Sequence, residues 1–166
     1  YWMRRRICGL PANTAGAVCF SMLKGLGQDH YVDGFISTIR SLTWAQRMPT
    51  DGEMKNLLHT TPIYKKSFAR FLLDKLEAHE NKDYTYSEHH SIEHIMPQTI
   101  HSHDELYART DISTEMKEKL DWAVDLGADW EKTHTTYLNT LGNLTLTGFN
   151  AEYQNYRFTY KKTMQD

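Results

Sequence analysis

The sequence predicts an α+β fold that is mostly helical, and three observations predict it. The first eighty residues place apolar side chains at helical intervals. At Asn81 that pattern gives way to a short alternating stretch, "YTYSEHHSIEHI" over 84–95, which reads as a strand or hairpin arm. From there the order reads strand, inserted helix, strand, helix, with no internal repeat and no low-complexity segment. The division that follows is a helical lead-in over 1–83 and a second region over 84–166.

The elements follow in order. "AGAVCFSMLKGL" (15–26) and "YVDGFISTIRSLT" (31–43) carry apolar residues at helical spacing, with Gly and Asp near the breaks. "DGEMKNLLHT" (51–60) follows Pro49, and Asp51 suits a cap. "PIYKKSFARFLLDKLEAHE" (62–80) is the strongest helix by pattern. Pro62 suits its first turn, and Tyr64, Phe68, Phe71, Leu72 and Leu76 share one face, which reads as core packing. Pro97 stops the strand that begins after Asn81. "ISTEMKEKLDWAVDLGADW" (112–130) returns to helix, capped near Ser113 and ended around Gly127. "YLNTLGNLTLTG" (137–148) sets a short Leu/Thr strand between two turn signals, and a final helix follows Asn150.

Composition bounds the class. Of 166 residues 40% are hydrophobic and 12% aromatic, which supports a real core and argues against disorder. The formal charge of −2 does not advertise nucleic-acid binding, although a local basic patch can serve it. Cys8 and Cys19 form no CxxC pair, so a disulfide framework is not expected and a reducing cytoplasm fits best. No apolar run approaches the roughly 20 residues of a membrane span. No signal peptide is visible, and the opening at Tyr1 without Met reads as part of a longer protein.

Five of the nine histidines, His89, His90, His94, His101 and His103, crowd into "SEHHSIEHIMPQTIHSHDE" (87–105). Phosphodiester hydrolysis is one chemistry that such a stretch can serve. It needs a base to take a proton from water, a divalent cation on the phosphate, and cationic side chains along the substrate backbone. "IEHIMP" supplies Glu93 beside His94. In a strand the two point to opposite sides, unless a bend near Pro97 brings them together. "LGNLTLTGFN" supplies Asn143 and Asn150 as uncharged oxygen donors. Taken singly, each has a plainer reading. Asn143 follows Gly142 and suits a turn, Asn150 suits a helix cap, and Glu93 with His94 suits a surface pair. His101 and His103 lack the partner cysteines a structural zinc site would want. His89 and His90 suit a groove rim or solvent, and His134 suits packing under the second strand.

"EHIMPQT", followed later by "LGNLTLTGFNAEYQNYRF", resembles the HNH (ββα-metal) nuclease signature. The likeness is closest to the C-terminal nuclease domain of the GmrSD-like, modification-dependent restriction endonucleases. "RRRICGLP" and the stretch from Met48 to Glu77 resemble that family's helical lead-in, so the likeness covers most of the chain. The two motif blocks together are the specific part.

The resemblance implies a helical lead-in followed by a ββα-metal core with an inserted helix. It implies His94 as general base, with Asn143 fixing its ring. It implies Glu93 and Asn150 as ligands of Mg²⁺ or Mn²⁺, with Asn155 as the second candidate. Asn150 lies seven residues after Asn143 and Asn155 twelve after it, and neither is the wider family's usual spacing. Arg157, Lys161 and Lys162 would meet phosphates, or form a solvated helix face. The implied function is a metal-dependent DNA endonuclease of a phage-restriction protein, acting on DNA, including modified phage DNA. An N-terminal nucleotide-hydrolysing domain is the implied partner. The alternative is a catalytically inactive HNH-fold module for DNA binding or interaction.

Overall fold

The structure, a computed structural model, describes residues 1–25, 30–148 and 154–163. The chain divides into two compact units, Tyr1–His59 and Thr60–Asp166. Among the described residues the fold is mostly helical with one small antiparallel sheet. No helix among them is long and apolar enough to cross a membrane.

The first unit holds α1 (Trp2–Ile7), α2 (Ala15–Gly25), α3 (Tyr31–Ser41) and most of α4 (Asp51–Thr60). The last three lie close to their sequence-predicted spans, because each combines helical spacing with a clear local start. The cap of α4 differs from expectation. Thr50, not Asp51, accepts the Glu53 N–H at 3.2 Å, while Glu53 accepts the Thr50 N–H at 2.9 Å. This reciprocal arrangement satisfies two amides that the helix cannot. Glu53 also pairs with Arg47, and these bonds hold its carboxyl down at about 2. Ile7, Val18 and Met22 are buried, with Arg5 among them. The Arg5 guanidinium donates to the carbonyls of Pro11 (2.7 Å) and Arg47 (3.1 Å) and to Thr14 Oγ1 (3.1 Å).

In the second unit the expected 62–80 helix begins only at α5 (Ala69–Glu80). The amides of Ile63 and Tyr64 both donate to the Asn139 carbonyl, at 2.7 and 3.3 Å, and Lys66 N–H closes a turn on Ile63 O at 2.8 Å. The Asn139 carbonyl thus anchors this stretch as a separate turn ahead of α5. The buried face of α5 is Ala69 and Leu73, whereas Phe71 and Leu76 of the expected stripe stand 47% and 41% exposed.

The expected strand over 84–95 contracts to β1 (Ser91–His94). The preceding residues are tied to α5 by side chains instead of a ladder. Arg70 donates to the carbonyls of Ser87 (2.5 Å) and His90, while Tyr84 Oη donates to Asp74 at 2.6 Å. After β1 come two helices that periodicity did not reveal, α6 (His103–Ala108) and, later, α9 (Trp130–Tyr137). Ser102 and Glu105 cap α6 reciprocally. The expected 112–130 helix splits into α7 (Thr114–Leu120), capped by Ser113, and α8 (Trp122–Leu126). The break is Asp121, whose buried carboxylate accepts His103 Nδ1–H at 2.7 Å. Gly127 ends α8 at φ 78°, where any side chain would be strained. β2 (Leu144–Thr147) and α10 (Phe158–Lys162) complete the described chain.

β1 and β2 pair antiparallel, with Ser91 opposite Thr147, Ile92 opposite Leu146, Glu93 opposite Thr145 and His94 opposite Leu144. α5 packs on β2, α6 on α7, and α8 on α9. This places the two motif blocks side by side.

Candidate functional site

The site is built where β1 ends. His94 closes the strand and is 4% exposed. Its Nε2 lies 3.1 Å from Asn139 Oδ1, and its Nδ1 lies 3.4 Å from Gln98 Nε2. The Tyr64 ring lies against it, centroids 4.2 Å apart and planes tilted 54°. With the Asn139 oxygen toward the ring, Nε2 carries the proton and Nδ1 keeps its lone pair.

Among the described residues the hydrogen bonds of Asn143 go elsewhere than to that ring, which was the role expected for it. It is buried, and its amide clamps main chain. Oδ1 accepts Met96 N–H at 2.7 Å, and Nδ2 donates to the carbonyls of Met96 (3.0 Å) and Leu138 (2.8 Å). Its own carbonyl accepts Ile95 N–H at 2.9 Å. Asn143 therefore folds the chain leaving β1 back onto the start of β2. His134 Nε2 bonds Pro97 O at 2.8 Å and holds the next residues of the same loop.

Glu93 and His94 line one cleft of about 390 Å³, together with Pro97, Gln98, Thr99, Gln154 and Asn155. Asn155 reaches it because α7 and α8 hold its segment. Trp122 Nε1 donates to Asn155 O at 2.9 Å, and Arg157 N–H donates to Lys119 O at 2.7 Å. Gln154, on the cleft wall, has φ 43°, a left-handed backbone that a non-glycine residue adopts at a cost. Asn150 lies outside the described residues.

The three expected phosphate contacts separate. Arg157 is spent on Asp125, with Nε 3.1 Å from Oδ2 and a second bond beside it; this carboxylate raises the guanidinium pKa further. Lys161 is 5% exposed, and its Nζ donates to the carbonyls of His94 (3.1 Å) and Ile95 (2.9 Å). It also lies 3.6 Å from Glu93 Oε1. Burial lowers its pKa, while Glu93 acts the other way. Two of the three are thus structural in position, and Lys162 alone is exposed.

The other clustered histidines scatter. His89 and His101 are exposed, His90 has a buried Nδ1 without a hydrogen bond, and His103 stacks on Tyr107 while bonding Asp121. Among the described residues no three His, Cys, Asp or Glu side chains gather as a metal cluster. A cation in the cleft would meet one carboxylate, neutral amide oxygens and water. Those hard donors fit Mg²⁺ or Mn²⁺.

Sequence reasoning missed Asn139, Tyr64, Gln98 and Arg70. Gln98 stands four residues after His94 inside the first motif block, and Asn139 stands four before Asn143, two residues ahead of the second. Their nearness to the motifs was the available signal. Tyr64 and Arg70 gave none, because both read as parts of one long helix.

No curated protein and no solved structure gives a significant match to the chain. One family model does, described as GmrSD restriction endonucleases, C-terminal domain, over residues 48–166. That span includes every residue of the cleft and most of the chain, so the protein belongs to the GmrSD restriction endonuclease family through its C-terminal domain.

Proposed function

We propose that this chain is a divalent-metal-dependent DNA endonuclease whose region from 84 onward works as an HNH (ββα-metal) core. The observation that carries the reading is the shared cleft. Glu93, His94 and Asn155 line it together, although they come from β1 and from a segment some sixty residues later. Membership of a restriction endonuclease family supports DNA as the substrate. Action on modified phage DNA in the cytoplasm, gated by a nucleotide-hydrolysing domain, belongs to the same proposal.

The chain's own residues supply base and orientation. Asn139 takes the Nε2–H of His94, and Nδ1, which accepts the long Gln98 amide bond, would take a proton from water that displaces that amide. That water attacks the scissile phosphorus in line, the bond to the 3′ oxygen breaks, and the ends are 5′ phosphate and 3′ hydroxyl. Glu93 with Asn155 would hold the cation, and Asn150 stays a candidate ligand. Mg²⁺ or Mn²⁺, when bound, offsets the charge growing on the departing oxygen. Tyr64 covers one side of the ring and keeps it from rotating out of line.

A second reading is favoured by one contact. Lys161 lies 3.6 Å from the Glu93 carboxylate, as a built-in cation would in an HNH-fold module that binds DNA without cutting it. Supercoiled plasmid with Mg²⁺ or Mn²⁺ separates the two. The endonuclease reading expects nicking by the parent and none by His94→Ala. Equal nicking by both proteins would remove His94 as the base, and nicking by neither would favour the binding module.

A further inference from the structure

The helix that fails to start at Pro62 leaves something in its place. In a helix, Lys65 and Lys66 would project about 100° apart. In the turn that forms instead, both line one cavity of about 290 Å³ with Pro62, Tyr64 and Asn139. The turn is built by long-range bonds, the Asn139 carbonyl receiving the amides of Ile63 and Tyr64. Two of the cavity's walls, Tyr64 and Asn139, are the same side chains that touch His94. The cavity therefore borders two residues that also contact the imidazole. Both lysines are exposed, and neither pairs with a carboxylate among the described residues. Local pattern and actual fold disagree here, beside the candidate base, which is where such disagreement tends to mark function.

We propose that this cavity is a second phosphate subsite, taking a backbone phosphate of the DNA strand next to the one that is cut. The proposal rests on the nuclease reading above. Two lysines lining one cavity suit a phosphodiester, which binds lysine as a point charge without demanding a planar fork. The subsite replaces the phosphate contacts that Arg157 and Lys161 cannot supply. Asn139 then has two duties: its side chain fixes the His94 ring, and its carbonyl fixes the turn that carries the lysines. The distance between base and phosphate anchor is thereby set by one residue.

The test is the salt dependence of DNA binding by the full chain, read by fluorescence anisotropy of a labelled duplex in EDTA, where no cutting occurs. Three proteins are compared: the parent, Lys65→Ala with Lys66→Ala, and a charge-matched control, Lys82→Ala with Lys132→Ala. Lys82 and Lys132 are exposed and do not line the cavity. The pocket pair should weaken binding about tenfold at moderate salt and reduce the slope of log K against log salt by about 2, while the control changes neither. Parent-like affinity and slope in the pocket pair would overturn the subsite, and so would an equal loss in the control. Plasmid nicking by the parent is scored separately. A parent that nicks while the pocket pair binds normally sinks the subsite alone. A parent that neither binds nor nicks sinks both readings.

Discussion

Asn139 Oδ1 lies 3.1 Å from His94 Nε2, so an amide oxygen faces that ring nitrogen. The imidazole is buried, partnered at its two nitrogens by Asn139 and Gln98 and covered by Tyr64, so its freedom to reorient is small. Asn139→Ala should lower nicking by roughly 10–100-fold, the usual cost of removing a group that orients a functional imidazole. Asn139→Asp gives the sharper readout. A carboxylate at that place favours the imidazolium, so the acid limb of the pH–rate profile should move to higher pH. Unchanged rates and profiles in both variants would remove Asn139 as a positioning residue.

Asn143 is a matter of stability. Its three side-chain bonds join Met96 and Leu138, and each is to a main-chain group. Asn143→Ala should cost about 2–4 kcal/mol of unfolding free energy, because buried polar groups are left unpaired. Urea unfolding measures it. A loss below about 0.5 kcal/mol would contradict the clamp.

Cation binding is checked apart from cleavage. A ligand that binds only the folded protein stabilises it by about 2.7 kcal/mol at a hundredfold excess over its Kd. Mn²⁺ should therefore raise the Tm of the parent and leave Glu93→Gln unmoved. Asn150→Ala and Asn155→Ala, run alongside, assign the second ligand: the true one abolishes the shift. A Glu93→Gln protein that still gains Tm with Mn²⁺ would place the cation elsewhere.

Tyr84 predicts an alkaline effect. Its hydroxyl donates to Asp74, and that bond pushes its pKa up from the ordinary tyrosine value to about 12. The folded protein holds this proton more tightly than the unfolded chain does. The contribution to stability is thus complete below about pH 10 and is lost as pH rises through about 12. The stability difference between the parent and Tyr84→Phe should be constant up to about pH 10 and shrink above it. Tyrosinate absorbance should show one late-titrating tyrosine in the parent that is missing in Tyr84→Phe. Identical titrations would show that the Asp74 bond does not persist in solution.

The sequence by itself determined the helical lead-in elements α2, α3 and α4, the two strands, the final helix and the order of the two motif blocks. These rest on nearby residues: helical spacing, caps and turn glycines act within a few positions. It also fixed Glu93 and His94 as the pair to watch, since adjacent acid and imidazole before a proline are visible without any fold. Only the tertiary structure decided that Asn139, not Asn143, meets the ring. Both are asparagines in one turn-rich stretch, and which amide faces inward depends on where β1 lies. The same holds for Ile63 and Tyr64, whose amides are anchored by the Asn139 carbonyl, a partner far off in the sequence. Lys161 and Arg157 read as surface cations until a distant carboxylate and two strand-end carbonyls took them in. Local preference is worth tenths of a kcal/mol per residue, whereas a buried amide or ammonium left without a partner costs several times more. Where the two compete, the long-range partner wins, and in this chain it wins around His94.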